Sequence, residues 1–327
     1  MKGLCDYILT VVTQIQEQVK IYELLIFHYH TQSQFRQAVT LAVQTLNHLG
    51  DTFRASPNTQ DLLDALQTTT ELIHRVGFEN LAELPPMENA EKLAAMKILR
   101  CSSYPAYFAV PEMLGLLVCR LVDVTLKYGR SSLTPFAFGM FSVLINGCVG
   151  DIDTGKQFGE LAIALEQQQS DQEYRAVTYN AIYGLLRHFY KPVRDGLKPL
   201  ILGYQSFSQN GDAESCAYCL INAYFCTILS GKNLKYIHND YEKYIQAIIG
   251  LKQEQRIHQL HIWMQVVHNL TESLENPALL KVFSFEESSQ VAPATTETTE
   301  LCSQLLEGNP NLPVKLIQLV NHPNFLG

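Results

Sequence analysis

The sequence predicts an all-α protein, specifically a right-handed α-solenoid of degenerate helix pairs. Three observations carry this. Apolar residues recur with a helical period along most of the chain. The breaks between periodic segments are short and turn-like, at Gly50-Asp51, Gly129-Arg130, Gly150-Asp151, Gly211-Asp212 and Gly231-Lys232. No segment sustains the period-two alternation with hairpin turns that a sheet would need.

In chain order, the first helical segment is 4–30. Its opening, MKGLCDYILTVV, is weakly basic and lacks the cleavage site of a secretory signal. Segments 34–49 and 58–76 follow, then a loop at 77–88, GFENLAELPPME, where Pro85-Pro86 stops any helix. After 89–103 comes PEMLGLLVCRLVDVTLKYG (111–129). Here Leu114, Leu117, Val118 and Leu121 share one helical face, Pro111 suits a first turn and Gly129 a stop. Segments 133–147, 153–169, 171–189, 193–209, 213–229, 233–250 and 254–275 complete about a dozen helices, so that 1–275 reads as one solenoid. Residues 276–327 contain EESSQVAPATTETTE, polar, Thr-rich and acidic, and read as a loosely ordered tail.

Composition excludes several function classes. Of 327 residues, 47% are hydrophobic and only 17% charged, so most side chains must pack between elements or form a broad interaction face. Net charge is −8 and no dense Lys/Arg cluster offers phosphates a footprint, which argues against a nucleic-acid partner. The eight cysteines are scattered through apolar stretches, the usage of buried small hydrophobes in a reducing compartment, and point to the cytoplasm. Residues 131–150 hold no charge, long enough to span a bilayer. Ser, Thr, Pro, Asn and three glycines interrupt the stretch and no basic cluster flanks it, so a buried helix is expected and not a membrane span.

The stretch GDIDTGKQFG (150–159) resembles a phosphate-binding loop, with Gly150, Gly155 and Lys156 in register. Gln157, however, stands where that loop needs a short hydroxyl for Mg²⁺, and Asp151 and Asp153 would repel phosphate. A structural reading explains every residue. Gly155, Gly159 and Ala162 form a small-residue stripe that admits a neighbouring helix, while Phe158 and Ile163 fill the flanks. Asp151 or Asp153 caps the helix. The same pattern stands 117 residues earlier, about three units of 39: Phe35 aligns with Ile152, Ala38 with Gly155, Leu41 with Phe158 and Ala42 with Gly159. No cofactor is expected.

This small–large pattern on paired helices resembles the tetratricopeptide repeat. Residues about 22–275 are similar to the helical region of large bacterial multidomain signalling proteins. The resemblance rests on HYHTQSQFRQAVTLAVQTLNHLG, LPPMENAEKLAAMKIL, PAYFAVPEMLGLLVCRLVDVTLKYG, GDIDTGKQFGELAIAL and RHFYKPVRDGLKPLILGYQSFSQNGD, in that order. In that family a protein-kinase-like domain and an ATPase module precede this region, and GAF and histidine-kinase modules often follow. The resemblance therefore implies kinase and ATPase modules as partners, in cis or in trans. This chain starts at Met1 without the upstream modules and loses the family's continuation after about 285, as a fragment, split gene or decayed copy would.

Other motifs point away from catalysis. Cys216-Ala-Tyr-Cys219 opens no helix after a strand and has no second ligand pair, so packing is expected. His28 and His30 diverge on a helix. His258, His261 and His268 share a face but lack H-E-x-x-H, and no metal site is expected. Kinase, histidine-kinase and G-x-S-x-G landmarks are missing. Tyr104, Tyr107 and Phe108, with Phe189 and Tyr190, could line a groove for a peptide or helix, or simply fill helix corners. The expected function is a non-catalytic scaffold or coupling segment in signal transduction. The alternative is a stand-alone regulator whose groove binds a peptide or small ligand.

Overall fold

In a computed structural model, residues 2–54 and 56–271 are described, with Lys2, Asp6, Gln209, Asn210, His238, Asn239 and Gln255 described by their backbone alone. The tail expected at 276–327 lies outside the described residues. All regular structure among them is helical, apart from a single bridge pairing Pro86 with Arg130. The helices are α1 (Lys2–Val11), α2 (Ile15–Thr31), α3 (Phe35–His48), α4 (Thr59–Val76), α5 (Ala90–Ala109), α6 (Pro111–Tyr128), α7 (Thr134–Leu144) and α8 (Ile152–Gln168). They continue with α9 (Arg175–Tyr179), α10 (Leu197–Gln205), α11 (Phe207–Asn210), α12 (Ala213–Leu229), α13 (Leu234–Gly250) and α14 (Ile257–Thr271). Two compact units result, one of residues 1–170 and one beginning at Asp171.

Local chemistry sets many helix ends. The five turn glycines have φ between +66° and +103°, a region closed to most side chains. Asn58 and Asp61 form a reciprocal capping box on α4, Asn89 caps α5, Asp151 caps α8 and Asp212 caps α12.

Four expectations need correction. The segment 4–30 is two helices: the chain breaks over Val12–Gln14, and the Gln18 amide donates to the Val12 carbonyl at 2.7 Å to hold the turn. The helix expected to end at 103 runs on through Pro105 to Ala109. An interior proline costs about 3 kcal/mol; here the whole stretch packs on α2, α3 and α6, with Pro105 and Ala106 buried, and that burial outweighs the loss. Third, 171–189 is not one helix. It passes from α9 into a π-turn at Asn180–Gly184 and a 3₁₀ turn at Arg187–Phe189. Fourth, 193–209 is a 3₁₀ turn, Val193–Gly196, followed by α10 and the short α11.

In the first unit, helices touch those one to three places along the chain. α2 packs on α3 and α5, α3 on α5, α4 on α6, α5 on α6, α6 on α7, and α7 on α8. A buried charge cluster ties the first layers together. Asp51, only 2% exposed, follows the Gly50 turn after α3. Lys92 of α5 donates to its Oδ2 at 2.8 Å and to the Leu49 carbonyl at 3.1 Å, and Arg120 of α6 reaches its Oδ1 at 3.4 Å. Both cations also lie over rings, Lys92 over Tyr128 and Arg120 over Phe53, each at 5.6 Å. Elsewhere Thr69 of α4 donates to the buried Asp123 of α6 at 2.8 Å.

The α7–α8 contact answers the question raised by GDIDTGKQFG. A Cβ on Gly155 would lie 3.1 Å from the Ser142 carbonyl of α7, so the glycine is what permits the backbones to approach. Gly159 and Ala162 are buried on the same stripe. Phe158 packs among Phe78, Phe138 and Phe141 at ring distances of 5.2, 5.7 and 5.0 Å. Lys156 and Gln157 are exposed. In the aligned helix α3, Ala38 and Ala42 are likewise buried. The outer positions differ: Ile152 is 43% exposed, whereas Phe35 is partly buried.

In the second unit, α12 is the central helix. It packs on α9, α10, α13 and α14, and nearly all of its side chains are buried. Gly203 of α10 makes this possible, since a Cβ there would sit 2.8 Å from the Cys219 sulfur. Asn222 of α12 donates to the Asn180 side-chain oxygen at 2.8 Å, inside the π-turn.

Two outcomes follow. Asp51→Asn should lower stability by about 3–5 kcal/mol by leaving Lys92 buried without its counter-charge, and Asp51→Asn with Lys92→Met should recover much of the loss. Urea unfolding of both variants measures this, and an unchanged midpoint for the single variant would refute the role assigned to the pair. Gly203→Ala should cost about 1–3 kcal/mol through overpacking, and Cys219→Ala in the same chain should relieve part of it. A double-mutant cycle showing strict additivity would mean that the two positions do not meet.

Candidate interaction site

Continuation of α5 past Pro105 brings Tyr104, Tyr107 and Phe108 to the turn between α2 and α3. That turn is tight: Ser33 has φ +57°, and the Ser33 and Gln34 amides donate to the carbonyls of His30 and Tyr29 at 2.9 and 2.8 Å. It sets His30, at the end of α2, beside Phe35, at the start of α3, with ring centroids 5.4 Å apart. Phe35 stacks on Phe108 at 4.9 Å, His30 lies 5.8 Å from Tyr104, and Tyr107 meets Phe108 edge-on at 5.1 Å. Five rings from three helices thus form one cluster. His30 is its buried floor, at 5% exposure, and the other four are only partly buried. Burial raises the Tyr107 hydroxyl above its ordinary range, so it stays a neutral hydrogen-bonding group at physiological pH.

Three of the five candidate groove aromatics therefore come together, joined by two residues that spacing alone did not place with them. Phe35 carried a repeat-position reading, and His30 looked like a helix histidine of no special note. Ending the helix at 103 left these three aromatics outside it, whereas its continuation through Pro105 to Ala109 sets them on one helix. Near the opposite end of α2 and α3, Ile15, Val19, Tyr22, Thr45, His48 and Leu49 line a depression of about 220 Å³.

Phe189 and Tyr190 belong to the second unit. Phe189 is 36% exposed and lies 4.5 Å from the His188 ring. Close by in the chain, Arg187 sits over Tyr183 at 5.2 Å, and Tyr183 meets Tyr179 edge-on at 5.2 Å. Burial pushes the His188 imidazole down to about 4. Deeper in this unit, Tyr224 lies between Tyr241 and Tyr244 at 5.9 and 5.2 Å, and Tyr241 is 6.0 Å from His261.

The cysteine pair of C-A-Y-C is buried in α12 against neighbouring backbone. The Cys219 thiol points to the Ala176 carbonyl at 3.3 Å and that of Cys216 to the Gly203 carbonyl at 3.6 Å. Burial, with some help from Asp212, pushes Cys216 up to about 12. Burial raises Cys219 well above its ordinary value too. Burial thus holds both as neutral thiols packed against backbone carbonyls. Among the described residues, no helix is long and apolar enough to cross a membrane. The uncharged stretch at 131–150 is divided between α7 and a π-turn at Ile145–Val149.

Part of the chain is similar to the hybrid signal transduction histidine kinase G of Dictyostelium discoideum, 27% identical over 140 residues, which make up 41% of this chain. The chain spans about 4% of that protein's length. No protein-family model matches the chain, and no solved structure matches it.

His188 supplies a measurable consequence of the second cluster. In the unfolded chain its imidazole takes up a proton near 6.5, whereas in the fold it waits until about 4. Between these values the unfolded state binds more protons, so the neutral imidazole's contribution is complete above 6.5 and is lost as pH falls toward 4. Chemical unfolding at pH 7 and pH 5 should show a smaller stability drop for His188→Gln than for the unaltered chain. Equal drops would contradict the burial of this group.

Proposed function

We propose that this chain is a non-catalytic helical-repeat scaffold, a right-handed α-solenoid of tetratricopeptide-like pairs that couples the modules of a signal-transduction kinase or ATPase, in cis or in trans. The observation that carries this reading is the partly exposed cluster of Phe35, Tyr104, Tyr107 and Phe108 seated on buried His30. Aromatic rings supply large contact area with few torsions to freeze, and clustered rings on a rigid frame are what protein partners use as anchors. The frame supports the reading too. In stacked helix pairs each layer contacts mainly its neighbours, so strain and partner binding spread along the stack and not through one core. The partial similarity to a histidine kinase favours signalling as the setting.

Chemistry belongs to the partner, and this chain contributes position: it holds a binding surface of fixed geometry on layers that can flex.

A photoreactive phenylalanine analogue at position 107, introduced in the protein's own cells, tests the idea. Adducts with a kinase or ATPase polypeptide are expected there and not from position 156, an exposed site on α8. Phe108→Ala should reduce their yield about tenfold or more, the loss typical of a buried aromatic anchor. Equal labelling from both positions would sink the proposal, as would turnover of Mg-ATP by the purified chain alone.

A further inference from the structure

Helix α10 buries Leu200 and Gly203 and keeps a second face open. There Arg194, Leu197, Lys198, Ile201, Leu202 and Gln205 line a depression of about 490 Å³. Leu197 and Ile201 are half-buried, and Leu202 is 42% exposed. Arg194 and Lys198 are exposed at one end of it, without an ion-pair partner among the described residues. The surrounding chain sharpens the charge. From Tyr174 to Gly211 it holds Arg175, Arg187, Lys191, Arg194 and Lys198 against a single carboxylate, Asp195. Lys198 also stands in the first turn of α10, where the helix dipole already adds positive charge. A cationic end and an apolar floor on one helix face suit a segment that pairs carboxylates with large apolar side chains.

The chain itself carries one such segment. Residues 171–271 hold ten basic and eight acidic residues, whereas 272–327 hold two and seven. Within the latter, Phe283-Ser284-Phe285-Glu286-Glu287 sets two rings directly before the one adjacent pair of carboxylates in the whole sequence. We propose that the segment 283–287 docks in cis on this face of α10, running antiparallel to the helix. Glu286 and Glu287 then meet Arg194 and Lys198, while Phe283 and Phe285 cover Leu197, Ile201 and Leu202. Lengths agree, since five extended residues span about 13 Å and residues 194–205 cover about 17 Å of helix. Reach agrees too. α10 and α14 both pack on α12, so they lie at most about 20 Å apart across it, and α12 is about 25 Å long. From Thr271 the chain can extend about 40 Å before Phe283. Tethering supplies an effective concentration of about 1 mM, so a contact with a Kd of about 1 mM is already half formed. The docked segment covers the basic face, and an acidic segment of another protein binds there only by displacing it. This contact lies within the second unit and is independent of the scaffold reading.

Photoreactive benzoylphenylalanine in place of Leu202 tests the contact in the full chain, at about 1 μM so that a millimolar contact forms only in cis. Irradiation and peptide mapping should place the adduct within residues 282–287 of the same molecule. The same group in place of Ile249, 40% exposed on α13, should label that segment about tenfold less. Arg194→Glu with Lys198→Glu should lower the adduct from position 202 about tenfold, the order expected when two exposed ion pairs become repulsions. Adding Glu286→Lys and Glu287→Lys should restore the yield, a rescue that a loss of folding could not give. Absence of an adduct would overturn the proposal, as would one mapped elsewhere in the chain, to a second copy or to another protein. A yield indifferent to the charge reversal, or not rescued by the swap, would overturn it equally. Far-UV circular dichroism checks that each variant keeps its helices.

Discussion

A single carboxylate organises the first unit. Asp51 is almost fully buried, and a buried charge is tolerable only with its counter-charges and hydrogen bonds in place. Lys92 and Arg120 provide them from two different helices, and Lys92 also takes the carbonyl of Leu49 that the end of α3 would otherwise leave open. The demand fixes three things together: the turn after α3, the rotation of α5 that brings Lys92 inward, and the approach of α6. Tyr128 and Phe53 close the cluster from outside by covering the two cations. Apolar packing alone would hold these helices less specifically, because leucine faces tolerate rotation and a buried ion pair does not.

With α5 so fixed, the aromatic cluster follows. The helix cannot stop at Pro105 without giving up the burial of Pro105 and Ala106, so it runs through, and its last turns carry Tyr104, Tyr107 and Phe108 to Phe35 and His30. The candidate interaction surface is thus a consequence of packing at the other end of the same helix. Its rings are held by one another while keeping an outer face, a compromise between a core and a contact surface.

The second unit reaches specificity differently. Around α12 the recurring device is a missing side chain or a bent backbone that receives a polar or sulfur atom: Gly203 under Cys219, and the π-turn at Asn180 that accepts Asn222. A π-turn widens the helix by one residue, and here its first residue, Asn180, accepts the Asn222 amide. The elevated thiol pKa values of Cys216 and Cys219 express the same dry surroundings.

Sequence alone determined the helical class, the five glycine turns and the aspartate cap of α8, because these depend on short-range chemistry. A glycine with positive φ, an Asn or Asp one residue before a helix and an apolar period of about 3.6 are legible within a few residues of where they act. The small-residue stripe of α8 was legible for the same reason. Tertiary structure decided the rest. Whether Pro105 ends a helix depends on burial against α2, α3 and α6, and the irregular stretch 171–189 is met at Asn180 by Asn222, some forty residues away in the chain. Asp51 reads locally as a turn residue, and only folding reveals that two distant cations converge on it. Local energies of a few kcal/mol propose each element, and long-range burial, larger in sum, settles which proposals survive.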